Sequence, residues 1–336
     1  KCLSSSANPL ECLFMSLESN SALTAERHEI YRQLIVDQYL AGTERRENPK
    51  AIILAGQPGA GKSQLSANAI AELESEGGVV LVDTDDLRDF HPDYETLSEK
   101  NDREAASLVQ QDAGQWADEL AEAAMAKKRN LIIDGTLKSP DNASNLCQTL
   151  LQHGYDVEVR ALAVAKEDSI QGVYNRYETA KSRNLSGRWV PERVHDAAYD
   201  GLVDSLKKLE QDNLEVRIEI YKRGETEPEL IDTNSSPANA LVRERNRERT
   251  PEELEVRDTI WNGKVDSPES KEPCIMQLIH RRDEKLSEPE NRRAKVLADE
   301  ARELAHGGKV RDSVPIQLRR SRSARRDSPD RGGRTR

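Results

Sequence analysis

The 336-residue chain has few cysteines, no long apolar run and no excess of positive charge, and each shortage removes a class of protein. Cys2, Cys12, Cys147 and Cys274 are scattered, without the paired spacing of a zinc site or the density of a disulfide-stapled secreted scaffold. They read as reduced thiols of a cytoplasmic protein. No stretch approaches the roughly 20 apolar residues that span a bilayer, and the first residues lack the ordered charged, apolar and small-residue regions of a signal peptide. The expectation is a soluble catalytic region with no transmembrane segment. A formal net charge of −11 argues against wholesale nucleic-acid binding, because a phosphate backbone repels an acidic surface. The end of the chain is the exception: "RRSRSARRDSPDRGGRTR", residues 319–336, holds eight arginines and two aspartates. With almost nothing apolar to bury, it reads as a disordered tail suited to a nucleic acid, an anionic membrane surface or export to a target cell.

What the chain does have is alternation. Apolar runs begin at 51 ("AIILAG"), 79 ("VVLVD"), 130 ("NLIID"), 157 ("VEVRALAV") and 216 ("VRIEIY"), and helical patterns near 62–76, 102–128, 140–153, 166–181 and 191–211 separate them. A further helix is expected over 24–43, with Ile30, Leu34, Ile35 and Tyr39 at helical spacing. Such alternation implies crossover connections and an α/β fold: a mostly parallel sheet with helices on both faces. After "ELIDT" at 229 the composition turns to dense charge, which divides the chain into a 1–23 segment of unassigned role, a 24–234 catalytic domain, a 235–318 charged and partly helical extension, and the 319–336 tail. Within the extension, "NRRAKVLADEARELAHGG" reads as an amphipathic helix closed by a double glycine. No internal repeat stands out.

The first apolar run ends in Gly56, Gln57, Pro58, Gly59, Ala60, Gly61, Lys62, Ser63 and Gln64, a phosphate-loop pattern lying between strand and helix. Glycines let backbone N–H groups turn toward phosphate oxygens, Lys62 supplies a cation to the outer phosphates, and Ser63 offers a hydroxyl to Mg²⁺. No guanine-reading Asn-Lys-x-Asp follows, so ATP is the expected nucleotide. The second run ends in "VDTDDLRDFHPDY", placing Asp83, Asp85 and Asp86 at the carboxyl edge of the sheet, where a carboxylate accepts a substrate proton or caps the next helix. The third ends in "IIDGT", whose Asp134 has the setting of a Mg²⁺-holding carboxylate, with Thr136 and Lys138 on the loop beyond it. In "VYNRYETAKSRNLSGRWVPERVHD", Arg176, Arg183, Arg188 and Arg193 surround a helix break at Gly187 and Pro191. Arginines on such a segment close over a phosphoryl group in transfer, or form a solvated helix end.

From about residue 24 to 233 these motifs resemble the zeta toxin family of P-loop kinases: "GQPGAGKS", "VDTDDLRDFHPDYETL", "IIDGT", "RYETA" and "VPERVHD" stand in the family's order. The resemblance implies an ATP-dependent kinase that phosphorylates the 3′-hydroxyl of the sugar in UDP-N-acetylglucosamine, and so acts as the poison of a toxin–antitoxin pair. It implies a protein antitoxin over the ATP site. By position, Lys62 resembles the phosphate-binding lysine, Asp85 the general base, and Arg176 and Arg188 the phosphate-contacting arginines. Asp134, Thr136 and Lys138 fall on the substrate side. Asp134 stands where well-known members carry a longer Glu, and Lys138 where an arginine is expected. Two other readings share the loop: a phosphotransferase acting on another hydroxylated molecule such as an antibiotic, and an ATP-gated binding module, which would have no use for a base.

Overall fold

The computed structural model describes residues 22–182, 188–224, 227–231, 233 and 236–261. The 1–21 segment, the helix expected within 291–308 and the arginine-rich tail lie outside them. Among the described residues, the apolar runs become the strands β1 (Lys50–Ala55), β2 (Val80–Asp83), β3 (Leu131–Gly135), β4 (Asp156–Ala163) and β5 (Val216–Lys222), joined by a short edge strand β6 (Glu229–Ile231). The sheet order is β2-β3-β1-β4-β5-β6; β6 runs antiparallel to β5 and the other pairs are parallel. Central strands of a parallel sheet are covered on both faces, which explains why Ala51 to Ala55 are all buried and apolar.

Helices cover the sheet as the spacing predicts, with two differences. The helix α1 (Ala25–Leu40), capped by Thr24 whose side chain accepts from the Arg27 N–H, buries His28, Tyr31, Ile35 and Val36. Ile30, expected on the packed face, is 37% exposed instead. Tyr31 and His28 take its place because both meet Trp116, the largest fully buried side chain, with ring centroids at 5.7 and 5.2 Å. The single helix expected over 102–128 is two, α4 (Tyr94–Leu108) and α5 (Gln110–Ala126), parted at Val109, and α4 is itself kinked at Asn101. The remaining crossovers are α2 (Ser63–Glu74), the one-turn α3 (Thr84–Leu87), α6 (Pro140–Gln152), α7 (Lys166–Ser182) and α8 (Glu192–Asp212).

Beyond β6 the chain forms α9 (Pro237–Arg245) and α10 (Pro251–Trp261). Ser236 caps α9 by accepting from the Asn239 N–H, while the Glu210 carboxylate on α8 receives the Ala238 N–H at 2.7 Å. Ala238, Ala240 and Leu241 are buried in the main core. No helix among the described residues is long and apolar enough to cross a membrane. Cys147 is a buried free thiol, pushed up to about 12 by burial; the other cysteines lie outside the described residues.

Candidate functional site

Because β1 to β4 run parallel, their carboxyl ends open on one edge of the sheet, and the candidate residues gather there. The loop after β1 turns through Gly59 (φ +77°) and Gly61 (φ +90°), left-handed conformations that glycine adopts without steric cost. It delivers Lys62 to the start of α2, whose first turn no side chain caps, so its N–H groups stay open to an anion. Lys62 Nζ donates to the Gly56 carbonyl at 3.1 Å and lies 3.4 Å from Asp134 Oδ1. Gln57 faces the other way: its fully buried carboxamide donates to the Val164 carbonyl and to Ser169 Oγ, leaving only its backbone for a phosphate. Gln64 bonds to Asn68 along α2.

The loop also rests against α7 at Gly172. A Cβ placed there would stand 2.4 Å from the Gly59 carbonyl oxygen, and one on Gly59 would stand 2.0 Å from the Ser169 carbonyl oxygen. Neither backbone can yield without moving the loop. Gly172→Ala should therefore weaken nucleotide binding by about tenfold while the helix content holds, a difference that nucleotide titration beside circular dichroism will read.

Opposite the loop, Asp83 ends β2 in register with Asp134 on β3, and its Oδ1 accepts the Asp85 N–H at 2.9 Å. Asp83 is thus the helix cap, one of the two roles open to it in the sequence. The turn frees Asp85 for cations: Arg88 Nη1 lies 2.5 Å from its Oδ1, and Arg188 Nη1 lies 3.3 Å from its Oδ2. Arg188 also approaches Asp86, at 3.8 Å. Trp189 holds this segment in place; it packs edge-on to Tyr174 and Tyr177, under the Arg103 guanidinium 4.8 Å from its ring. Arg176, exposed on α7, adds to the positive field at Asp85. Arg193 is exposed at the start of α8, while Arg183 and Gly187 lie outside the described residues.

Asp134 leads into the loop bearing Thr136 and Lys138. Leu137 at φ +46° turns that loop, Ser205 on α8 donates to the Leu137 carbonyl at 2.6 Å, and Gly201 lies so close to the Lys138 carbonyl that a Cβ would stand 2.0 Å from it. Its backbone is thereby fixed, while the Lys138 side chain extends into solvent.

The electrostatics separate the two neighbouring carboxyls. Burial pushes Asp85 up, but Arg188, Arg88, Arg176 and Lys62 together outweigh it and hold the group at about 2. Asp83 has no such company; burial, then Asp86, Asp134 and Asp85, raise it to about 7 against the pull of Arg188. Asp89 is raised to about 6, chiefly by burial. A carboxyl whose folded value is raised binds more protons folded than unfolded, so its contribution is full below its ordinary 3.8 and is lost as pH rises through about 7. Melting of the nucleotide-free, metal-free protein should show a component that destabilises across this window. Asp83→Asn, which keeps the capping oxygen, should flatten that component and raise the melting temperature at neutral pH.

Several residues that build the site were not among the candidates, although His195 lies inside "VPERVHD". Arg223 at the end of β5, Arg245 on α9, and Ser169 and His195 behind Gln57 are joined to it only by folding.

Known proteins match this arrangement. The family profile described as Zeta toxin covers residues 36–236. Toxin PezT of Streptococcus pneumoniae is 32% identical over 183 residues, 54% of this chain and 72% of that protein, and Toxin zeta of Enterococcus hirae is 28% identical over 257 residues, 76% and 89%. A solved structure from the PezAT chromosomal toxin–antitoxin system of S. pneumoniae superposes with a TM-score of 0.63 at 27% identity, covering 72% of this chain and 98% of its own. With a P-loop α/β fold, the expected motifs on one sheet edge and a family match over more than half its length, the chain belongs to the zeta toxin family.

Proposed function

We propose that the protein is an ATP-dependent phosphotransferase that phosphorylates a sugar hydroxyl of a nucleotide sugar, UDP-N-acetylglucosamine at its 3′-hydroxyl being the acceptor the family resemblance implies. The observation that carries the reading is the concentration of charge at one sheet edge: Lys62 against Asp134 on one side, and Asp85 between Arg88 and Arg188 on the other. A module that only bound nucleotide would need the loop but not an ionised carboxylate held among arginines.

In this mechanism the phosphate loop and the open first turn of α2 hold the phosphates of ATP, and Lys62 meets the outer ones. The acceptor hydroxyl oxygen attacks the γ-phosphorus, the bond to the β-bridging oxygen breaks, ADP departs, and the hydroxyl proton passes to Asp85. Arg188 and Arg176 stabilise the negative charge spread over the transferring group. Ser63 and Asp134 offer hard oxygen donors of the kind Mg²⁺ takes, and Asp83 stands beside them. When bound, Mg²⁺ neutralises charge on the phosphate oxygens. In the nucleotide-free protein Arg188 rests on Asp85. As the phosphates draw that arginine away, the carboxylate gains proton affinity at the moment a base is needed.

The solved PezAT relative is named for a toxin–antitoxin system, which supports a protein antitoxin as partner here too, seated over the nucleotide site. The test is incubation of purified protein with ATP, Mg²⁺ and a panel of nucleotide sugars, read by mass spectrometry. The expected result is addition of one phosphate to UDP-N-acetylglucosamine. ATP consumption with no modified nucleotide sugar would move the acceptor to another class of hydroxylated molecule.

A further inference from the structure

A loop that turns its N–H groups toward a phosphate turns its carbonyls outward, and those carbonyls need partners of their own. One arginine supplies contacts to them, and a second reaches the loop through the Gln57 side chain. Arg223 donates from Nε to the Ala60 carbonyl at 2.9 Å and from Nη2 to the Gly59 carbonyl at 2.6 Å. Arg245, 4% exposed, donates from Nη2 to Gln57 Oε1 at 2.9 Å and from Nη1 to the Tyr199 carbonyl at 2.7 Å, with its guanidinium 3.9 Å from the centre of the Tyr199 ring. Gln57 in turn is held by Val164 and Ser169, and Ser169 Oγ lies 2.8 Å from His195 Nε2. Among the described residues, the oxygens that these guanidiniums reach are carbonyl or carboxamide oxygens.

We infer that Arg245 is a positioning residue for the nucleotide site: from the outer side of the phosphate loop it fixes Gln57, while Arg223 fixes the carbonyls of Gly59 and Ala60, and so it couples the helix Pro237–Arg245 to nucleotide affinity. The inference rests on the reading of residues 56–64 as the nucleotide loop. Arg245 lies beyond the 36–236 span of the family profile, and no local motif announces it. A buried cation without a carboxylate at its donors is costly to keep, and burial has pulled Arg245 down to about 10 and Arg223 below its usual value. That cost is offset when an anion occupies the other side of the loop, because buried positive charge behind the loop adds to the field at the phosphates.

The same helix pair offers a control. Arg249 ties the segment after α9 to Asp168 on α7 through Nε at 3.1 Å, and none of its hydrogen bonds reaches the loop. The experiment compares Arg245→Met, Arg245→Lys, Arg249→Met and Gln57→Met in the full chain. ATP affinity is measured by calorimetry, and exchange of the loop's backbone amides by hydrogen exchange without nucleotide. Arg245→Met should weaken ATP binding by about tenfold and speed exchange of the loop amides. Arg245→Lys, which keeps the charge but reaches one acceptor rather than two, should recover part of both, and it keeps the test open where Arg245→Met folds poorly. Arg249→Met should leave both readings near wild type. Combining Arg245→Met with Gln57→Met should cost less than the sum of the two single losses, since the arginine's positioning role runs through that side chain and only its charge acts without it. Wild-type affinity and exchange in Arg245→Met, or equal losses in Arg249→Met, would overturn the inference and leave α9 as packing. If the wild-type protein does not bind ATP, the nucleotide reading fails, and the exchange comparison decides the positioning role by itself.

Discussion

Lys62→Ala should abolish phosphoryl transfer, a loss of roughly 10³-fold or more, and weaken ATP binding in the same variant. Both effects follow from one place in the fold. Lys62 stands at the start of α2, bonded to the Gly56 carbonyl and 3.4 Å from Asp134, so its ammonium lies between the phosphate loop and the carboxylates at the ends of β2 and β3. Removing it takes a cation from the phosphates as they gain charge. It also leaves Asp134 facing Asp83 with no lysine to balance them, in surroundings where Asp83 is already raised to about 7. Lys62 is among the cations that hold Asp85 down, so the alanine variant also shifts the acid limb of any residual activity upward. Nucleotide titration and a steady-state assay with the nucleotide-sugar panel check the prediction. Turnover that survives intact in Lys62→Ala would remove the basis for the kinase reading.

The parts of this site that were legible in the sequence are those built from neighbours along the chain. Glycines around Lys62, an apolar strand closed by Asp134, and an aspartate pair after β2 are local patterns, and parallel pairing brings them to one edge without further instruction. The face of α1 was less legible, because helical spacing admits both Ile30 with Leu34 and Tyr31 with Ile35, and the choice is made by Trp116, 85 residues past Tyr31 in the chain. The break between α4 and α5 was hidden because Val109 is neither proline nor glycine, whereas the kink at Asn101 has a local partner, its Oδ1 accepting the Arg103 N–H at 3.2 Å. The role of Arg245 was not legible. Its partner Gln57 is 188 residues away, and its own surroundings read as one more charged stretch after the last strand. A cue was present in "ANALV", apolar residues that bury Ala238, Ala240 and Leu241 inside a segment otherwise rich in charge.

Asp85→Asn should keep the fold and ATP affinity and lose about 10²–10⁴-fold in turnover, since the amide is nearly isosteric but cannot take the hydroxyl proton. The neighbouring aspartate makes the comparison decisive. Asp83 bonds the Asp85 N–H and is pushed up to about 7, whereas Asp85 sits among Arg188, Arg88 and Arg176 and stays ionised down to about 2. The low value belongs to the nucleotide-free arrangement, with Arg188 resting on Asp85; it keeps the acceptor ionised, and proton affinity rises once the phosphates engage that arginine. The pH dependence follows with its sign. Depressed by cations, Asp85 contributes stability above its ordinary 3.8 that is lost as pH falls through about 2, and it stays ionised above that value. Arg188→Met removes the cation that lowers it most, so the acid limb of kcat/KM should move to higher pH, while turnover also falls for want of the arginine at the phosphoryl group. Those two effects separate on a pH profile: the first displaces the limb and the second lowers the plateau. If Asp83→Asn destroys turnover and Asp85→Asn leaves it near wild type, the base is the helix cap on β2, and the arginines around Asp85 serve to orient the acceptor instead.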